Sequence, residues 1–155
     1  MTEKDIKRFK PLAVTADFQL GSDHVLHAFN PTARRILGKN NQRLAIPVSQ
    51  LYQEGANVSL SSDWNVNPLN PLSAIANAVE IGKRGLPSVA AAIDAYTINP
   101  AKSLGLDSIT GSIELGKSAD FVVLSSDISQ LKPQQIRRTK IEMTILQDKI
   151  VFDGK

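Results

Sequence analysis

The chain has 155 residues, a formal net charge of +3, 42% hydrophobic and 21% charged residues, and no cysteine. That balance suits a folded protein and excludes a charge-swollen disordered one; the lack of cysteine excludes both a disulfide framework and a thiolate metal site. The basic residues come in scattered pairs, Arg34 with Arg35 and Arg137 with Arg138, a solvated surface and not the basic stripe with aromatics that engages nucleic acid. No apolar run approaches the roughly 20 residues that cross a bilayer, and Met1 to Lys10 is charged, unlike a secretory signal. No membrane partner and a cytoplasmic location are therefore expected, although a native start further upstream would carry its own targeting signal.

In chain order, Leu12 to Ala16 reads as a strand. His24 and His27 follow; a spacing of three puts both imidazoles on one helical face, where they can contact a metal or substrate or simply pack. Pro31 to Leu37 reads as a short helix, with Asn30 at its cap, Pro31 in its first turn and Gly38 as its stop. Leu44, Val48, Leu51 and Tyr52 share a helical face closed by Gly55. A strand from Ala56 to Ser62 follows, ends on Asp63 and Trp64, and is cut off by Asn65, Asn67, Pro68, Asn70 and Pro71. Asp63 thus stands at the carboxyl end of a strand, where α/β barrels place their chemistry. An Asp there also serves to cap the following loop or helix. Trp64 either lines a substrate pocket or packs over the strand ends.

Leu72, Ile75, Ala76 and Val79 form the next amphipathic face, ending near Gly82 to Gly85. Ser88 caps a helix whose Val89, Ala92, Ile93 and Tyr96 stripe is core packing, and Asn99 and Pro100 restart a short helix stopped by Gly105. From Ile109 the period changes to short strands and turns: Gly111 and Gly116 supply turn conformations, Phe121 to Leu124 is a strand, and Ile141 to Leu146 pairs across Asp148 and Lys149 with Ile150 to Phe152 as a hairpin.

Two blocks downstream of the Ser62-Asp63-Trp64 strand end, Thr97-Ile98-Asn99-Pro100-Ala101 and the Gly-Ser-x-x-x-Gly-Lys-x-Ala-Asp run from Gly111 to Asp120, resemble the carboxyl-terminal part of the amidohydrolase superfamily. Asp63, Trp64, Val66, Pro68, Leu69 and Pro71 are most similar to the branch of N-substituted formamide deformylases, and the likeness runs from about Leu12 to Phe152. It implies an α/β fold: the carboxyl-terminal remnant of a (β/α)8 metal-hydrolase barrel over residues 1–107, with its seventh and eighth strands, and part of a small β-sandwich over residues 108–155. The family's His-x-His pair has no counterpart, since His24 and His27 are the only two histidines, and 155 residues fall short of the roughly 250 of a whole barrel.

The activity the resemblance implies is metal-assisted hydrolysis of a non-peptide carbon–nitrogen bond in a small-molecule amide. A divalent metal, most often zinc, would serve the complete enzyme; Asp63 would be both metal ligand and general base, and Trp64, His24 and His27 would stand near substrate. Lys117 and Asp120 are read as turn and strand-start residues. With one credible ligand, the isolated chain is expected to bind no metal tightly and to be inactive, and its open strand edges to drive self-association. A regulatory or interaction module derived from an amidohydrolase is the alternative.

Overall fold

The computed structural model describes residues 1–21, 31, 35, 36, 38 and 46–154. His24, His27, Leu44 and most of the Pro31 to Leu37 helix lie outside the described residues.

The chain starts with a helix the composition did not advertise, α1 (Glu3–Ile6). Thr2 Oγ1 accepts from the Asp5 amide at 3.3 Å and the Asp5 carboxylate accepts from the Thr2 amide at 3.2 Å. This reciprocal cap satisfies donors that a single turn leaves open, and Ile6 is buried. Strand β1 is Thr15–Phe18, beginning three residues later than Leu12. The reason is local: the amides of Leu12, Ala13 and Val14 bond back to Arg8, Lys10 and Phe9 carbonyls at 3.1, 3.0 and 2.9 Å. These turns consume the donors, and Thr15 is the first residue left to enter a ladder.

β1 pairs in parallel with β2 (Asn57–Leu60), from Thr15 opposite Asn57 to Phe18 opposite Leu60. Between them lies α2 (Val48–Gln53), whose Val48 and Leu51 are wholly buried while Tyr52 is exposed, so the apolar stripe is narrower than expected. After β2 come α3 (Pro71–Glu80), α4 (Val89–Asp94) and α5 (Ile98–Leu104). Asn70 Oδ1 caps α3 through the Leu72 amide at 3.0 Å, Ser88 Oγ caps α4 through Ala91 at 3.1 Å, and Gly105 ends α5 at φ 69°. Ala16, Val58 and Leu60 on one face of the sheet join Leu51, Leu72, Ile75, Leu86 and Ala92 in a single core.

A second sheet holds β3 (Phe121–Leu124), β4 (Ile141–Leu146) and β5 (Lys149–Asp153), antiparallel in that order. The connection from β3 to β4 is more than a loop. Ile128, and Ile136 from helix α6 (Pro133–Ile136), are buried in the core around α3. Arg137 donates to both Asn77 and Glu80 of α3, and Gln134 donates to Glu80 at 3.1 Å. The smaller sheet is thereby anchored to the helices that pack on the first.

Candidate active site

The site is built from the end of β2, a strand held on both sides. Backbone groups alternate sides along a strand. The Ser61 amide reaches Phe18 of β1 at 3.1 Å, and the Leu60 amide points the other way, to the Ala95 carbonyl at 2.8 Å. On that outer side Asn99 Nδ2 donates to the Val58 carbonyl at 2.9 Å, while Asn57 Nδ2 donates to the Asn99 carbonyl and to Thr15 Oγ1, both at 2.9 Å. Asn99, the centre of the Thr-x-Asn-Pro-Ala block, thus fixes the base of the strand whose tip carries Asp63.

Beyond Leu60 the chain turns sharply. Asp63 has φ 50°, in the left-handed region where Asp is among the tolerated residues, and its carbonyl accepts from the Val66 amide at 2.7 Å to close a turn. Its carboxylate is exposed and makes no hydrogen bond among the described residues; the cap of α3 is Asn70, so the capping role is not taken by Asp63. Trp64 is 67% exposed, alongside Val66 and Leu69, so it does not pack down over the strand ends. The loops that leave the two strands meet here: a Cβ on Gly21 would stand 3.3 Å from Asn67 Cβ and 3.5 Å from the Pro68 carbonyl. His24 and His27, which follow Gly21 in the sequence, lie outside the described residues.

One group of polar residues is brought together that the linear reading passed over. Asp17 of β1 accepts from Ser59 Oγ at 2.7 Å and from Ser61 Oγ at 2.5 Å, one hydroxyl to each carboxylate oxygen. Thr15, Asp17, Asn57, Ser59 and Ser61 therefore share the face opposite Ala16, Val58 and Leu60. The signal was the polar–apolar alternation of Thr15-Ala16-Asp17-Phe18 against Asn57-Val58-Ser59-Leu60-Ser61. Tyr96, beside this face, has its phenol pushed up by burial and by the Asp17 charge.

Lys117 and Asp120 are structural. Lys117 Nζ donates to Ser112 Oγ at 2.5 Å and to Glu114 at 3.2 Å, closing the turn around Gly116. The Asp120 carboxylate, just before β3, accepts from the Gln147 amide at 2.9 Å, Thr110 Oγ1 at 2.8 Å and Ser118 Oγ at 2.9 Å. These bonds hold its carboxyl below the usual range. Among the described residues no three His, Cys, Asp or Glu converge to hold a metal ion. Asp63 suits one oxygen ligand of a catalytic zinc, which needs about three protein ligands; the described residues fit a part of such a centre and not the whole.

A family model described as the amidohydrolase family matches residues 1–152. The N-substituted formamide deformylase of Arthrobacter pascens is 34% identical over 119 residues, 68% of this chain and 22% of that protein. Among solved structures, an amidohydrolase from Thermotoga maritima MSB8 superposes with a TM-score of 0.70 at 24% identity, over 97% of this chain and 34% of the other. An adenosine deaminase from Xanthomonas campestris with bound zinc gives 0.68 at 20% identity, over 99% and 35%. The chain spans between 22% and 35% of the length of these proteins. The shared fold is α/β, the carboxyl-terminal end of a (β/α)8 metal-hydrolase barrel with part of its small β-sandwich. Matched from residue 1 to residue 152, the chain belongs to the amidohydrolase family.

Proposed function

We propose that this chain supplies the strand-end carboxylate of a metal-dependent hydrolase that cleaves carbon–nitrogen bonds in small amides, with Asp63 as that carboxylate. The observation that carries the reading is the state of Asp63: it stands just past the carboxyl end of a strand fixed on both edges, and its carboxylate is exposed and engaged in no hydrogen bond among the described residues. The deformylase and deaminase likenesses, one of them with bound zinc, support the reaction class and the metal.

A bound divalent metal would supply acidification of the attacking water. Asp63 accepts the proton of that water as its oxygen adds to the carbonyl carbon, then gives the proton to the nitrogen as the carbon–nitrogen bond breaks. The carboxylate ends as it began, so one residue serves both halves of the reaction. Trp64, Val66 and Leu69, exposed beside it, offer apolar surface to the substrate. In the same reading residues 1–107 form the barrel portion and residues 108–155 the sandwich portion.

Because Asp63 is one donor among the about three a catalytic zinc requires, the chain alone is expected to bind zinc weakly and to leave N-substituted formamides unhydrolysed. Calorimetric zinc titration and a formate-release assay test this. Submicromolar zinc binding coupled to turnover, both lost in Asp63→Ala, would show that the 155 residues complete a centre by themselves. The same shortage of converging ligands supports the other reading, a non-catalytic interaction module, which a stable protein complex without turnover would favour.

A further inference from the structure

The inward face of a (β/α)8 barrel is filled mainly by bulky branched side chains. On β1 and β2 that face instead carries Thr15, Asp17, Asn57, Ser59 and Ser61, with a carboxylate at its centre. The helices pack on the other face, through Ala16, Val58 and Leu60.

Two serine hydroxyls orient the Asp17 carboxylate, but they are dipoles and bring no counter-charge. Among the described residues no lysine, arginine or histidine forms an ion pair with it. An ionised carboxylate offers about four lone-pair positions; the serines use two, and Asp17 is exposed. Its place along the sheet points to a ligand. Asp17 is next to the last residue of β1, and Ser61, which it grips, stands two residues before Asp63. This is the carboxyl end of the strands, where barrel enzymes receive substrate.

We propose that Asp17 is a specificity-determining residue: its carboxylate, aimed by Ser59 and Ser61, receives a cationic nitrogen group of the substrate, an amidinium, guanidinium or ammonium, below the bond that Asp63 attends. A planar cation with two N–H groups matches the two carboxylate oxygens in a bidentate pair. The inference rests on the proposed reading of this strand end as the substrate side, and it adds the charge of the substrate, which that reading leaves open.

The probe is benzamidine, with benzamide as its uncharged counterpart of the same shape, titrated into the 155-residue chain and followed by backbone amide NMR. Benzamidine is expected to shift the Asp17, Ser59 and Ser61 amides saturably and to bind about tenfold or more tightly than benzamide. Asp17→Asn should abolish that preference, and Asp63→Asn should leave it. Benzamidine, and not benzamide, should also lower the pH at which Tyr96 ionises, because it neutralises the Asp17 charge that adds to burial in raising it. Equal affinities, a preference that survives Asp17→Asn, a preference lost in Asp63→Asn instead, or no saturable shift of those amides up to about 20 mM (a free energy near −2 kcal/mol) would each overturn the proposal. If Asp17→Asn does not fold, Ser61→Ala takes its place: a reduced preference supports the assignment and an unchanged one overturns it. Zinc and turnover play no part in this measurement, so it fails independently of the hydrolase reading.

Discussion

Asn77 is the buried polar residue on which three segments converge. Its Nδ2 donates to the buried Leu20 carbonyl at 2.6 Å, just after β1, and its Oδ1 accepts from Arg137, just after α6. Asn77→Leu keeps the volume and removes both partners. The stranded Leu20 carbonyl costs about 1–3 kcal/mol, and a hydrogen bond to a charged group contributes about 1.5–3 kcal/mol, part of which Arg137 retains through Glu80. Together the loss is about 2–4 kcal/mol, a large share of the roughly 5–15 kcal/mol that holds a domain folded. With a urea slope of about 2 kcal/mol per molar, the unfolding midpoint should fall by about 1–2 M at unchanged slope. Glu80→Gln is the control, because it touches only the part-exposed contacts of Glu80 with Arg137 and Gln134, the ion pair being worth about 0–1 kcal/mol. An Asn77→Leu loss no larger than that of Glu80→Gln would refute the view that Asn77 joins β1, α3 and α6.

Gly111→Ala should cost about 2–4 kcal/mol, the sum of a disfavoured positive φ and overpacking, since a Cβ there would lie 2.7 Å from Ala101 Cβ at φ +95°. Gly116→Ala, at φ +87° with nothing within 4 Å, should cost only about 1–2 kcal/mol; equal losses in chemical denaturation would refute the crowding at Gly111. The Asp120 carboxyl is held below its ordinary value of 3.8 in the fold, so its contribution is present above that value and is lost as pH falls through the lower folded one. Asp120→Asn should therefore flatten the decline of the urea midpoint below about pH 4, and an acid limb identical to the wild type would contradict this. Self-association is expected through the β3 and β5 edges of the three-stranded sheet, where Val122, Ile150 and Phe152 are exposed. Light scattering at micromolar concentration should show a dimer or larger species, and a wild-type monomer across that range would refute the expectation; Leu60→Lys, which puts a charge in the core under β2, should weaken folding.

The elements that could be read from the chain are those whose punctuation is local. Asn70-Pro71 opens α3, Ser88 opens α4 and Gly105 closes α5, each by chemistry contained in a few residues; the hairpin turns at Gln147-Asp148, both at positive φ, one residue earlier than the expected Asp148 and Lys149, and Lys149 already pairs with Leu146 in β5. Leu12 misled because its apolar neighbours look like a strand, whereas backbone bonds to Arg8, Phe9 and Lys10 hold that stretch in turns. The helices at Glu3–Ile6 and Pro133–Ile136 are a single turn each, too short for a periodic signal, and are held by packing of Ile6 and Ile136. At the site, the place of Asp63 just past a strand was legible, although β2 stops at Leu60, short of the expected Ser62, and a turn carries the chain to Asp63. The setting of Asp17 was not, because its hydrogen bonds come from Ser59 and Ser61 some forty residues away, and β-pairing of that range leaves no local trace. The outer edge of β2, expected to be open, is met by Ala95 and Asn99 for the same reason.

The proposed part of Asp63 is that of proton carrier in a carbon–nitrogen hydrolase. The direct measurement joins this chain, in place of the matching carboxyl-terminal portion, to the remainder of the Arthrobacter pascens deformylase, to which it is 34% identical over 119 residues, and compares turnover per bound zinc with and without Asp63→Asn. The chimera should release formate, and its Asp63→Asn variant should fold yet turn over about 10²–10⁴-fold more slowly. A variant whose turnover stays within roughly threefold of its parent would contradict that role.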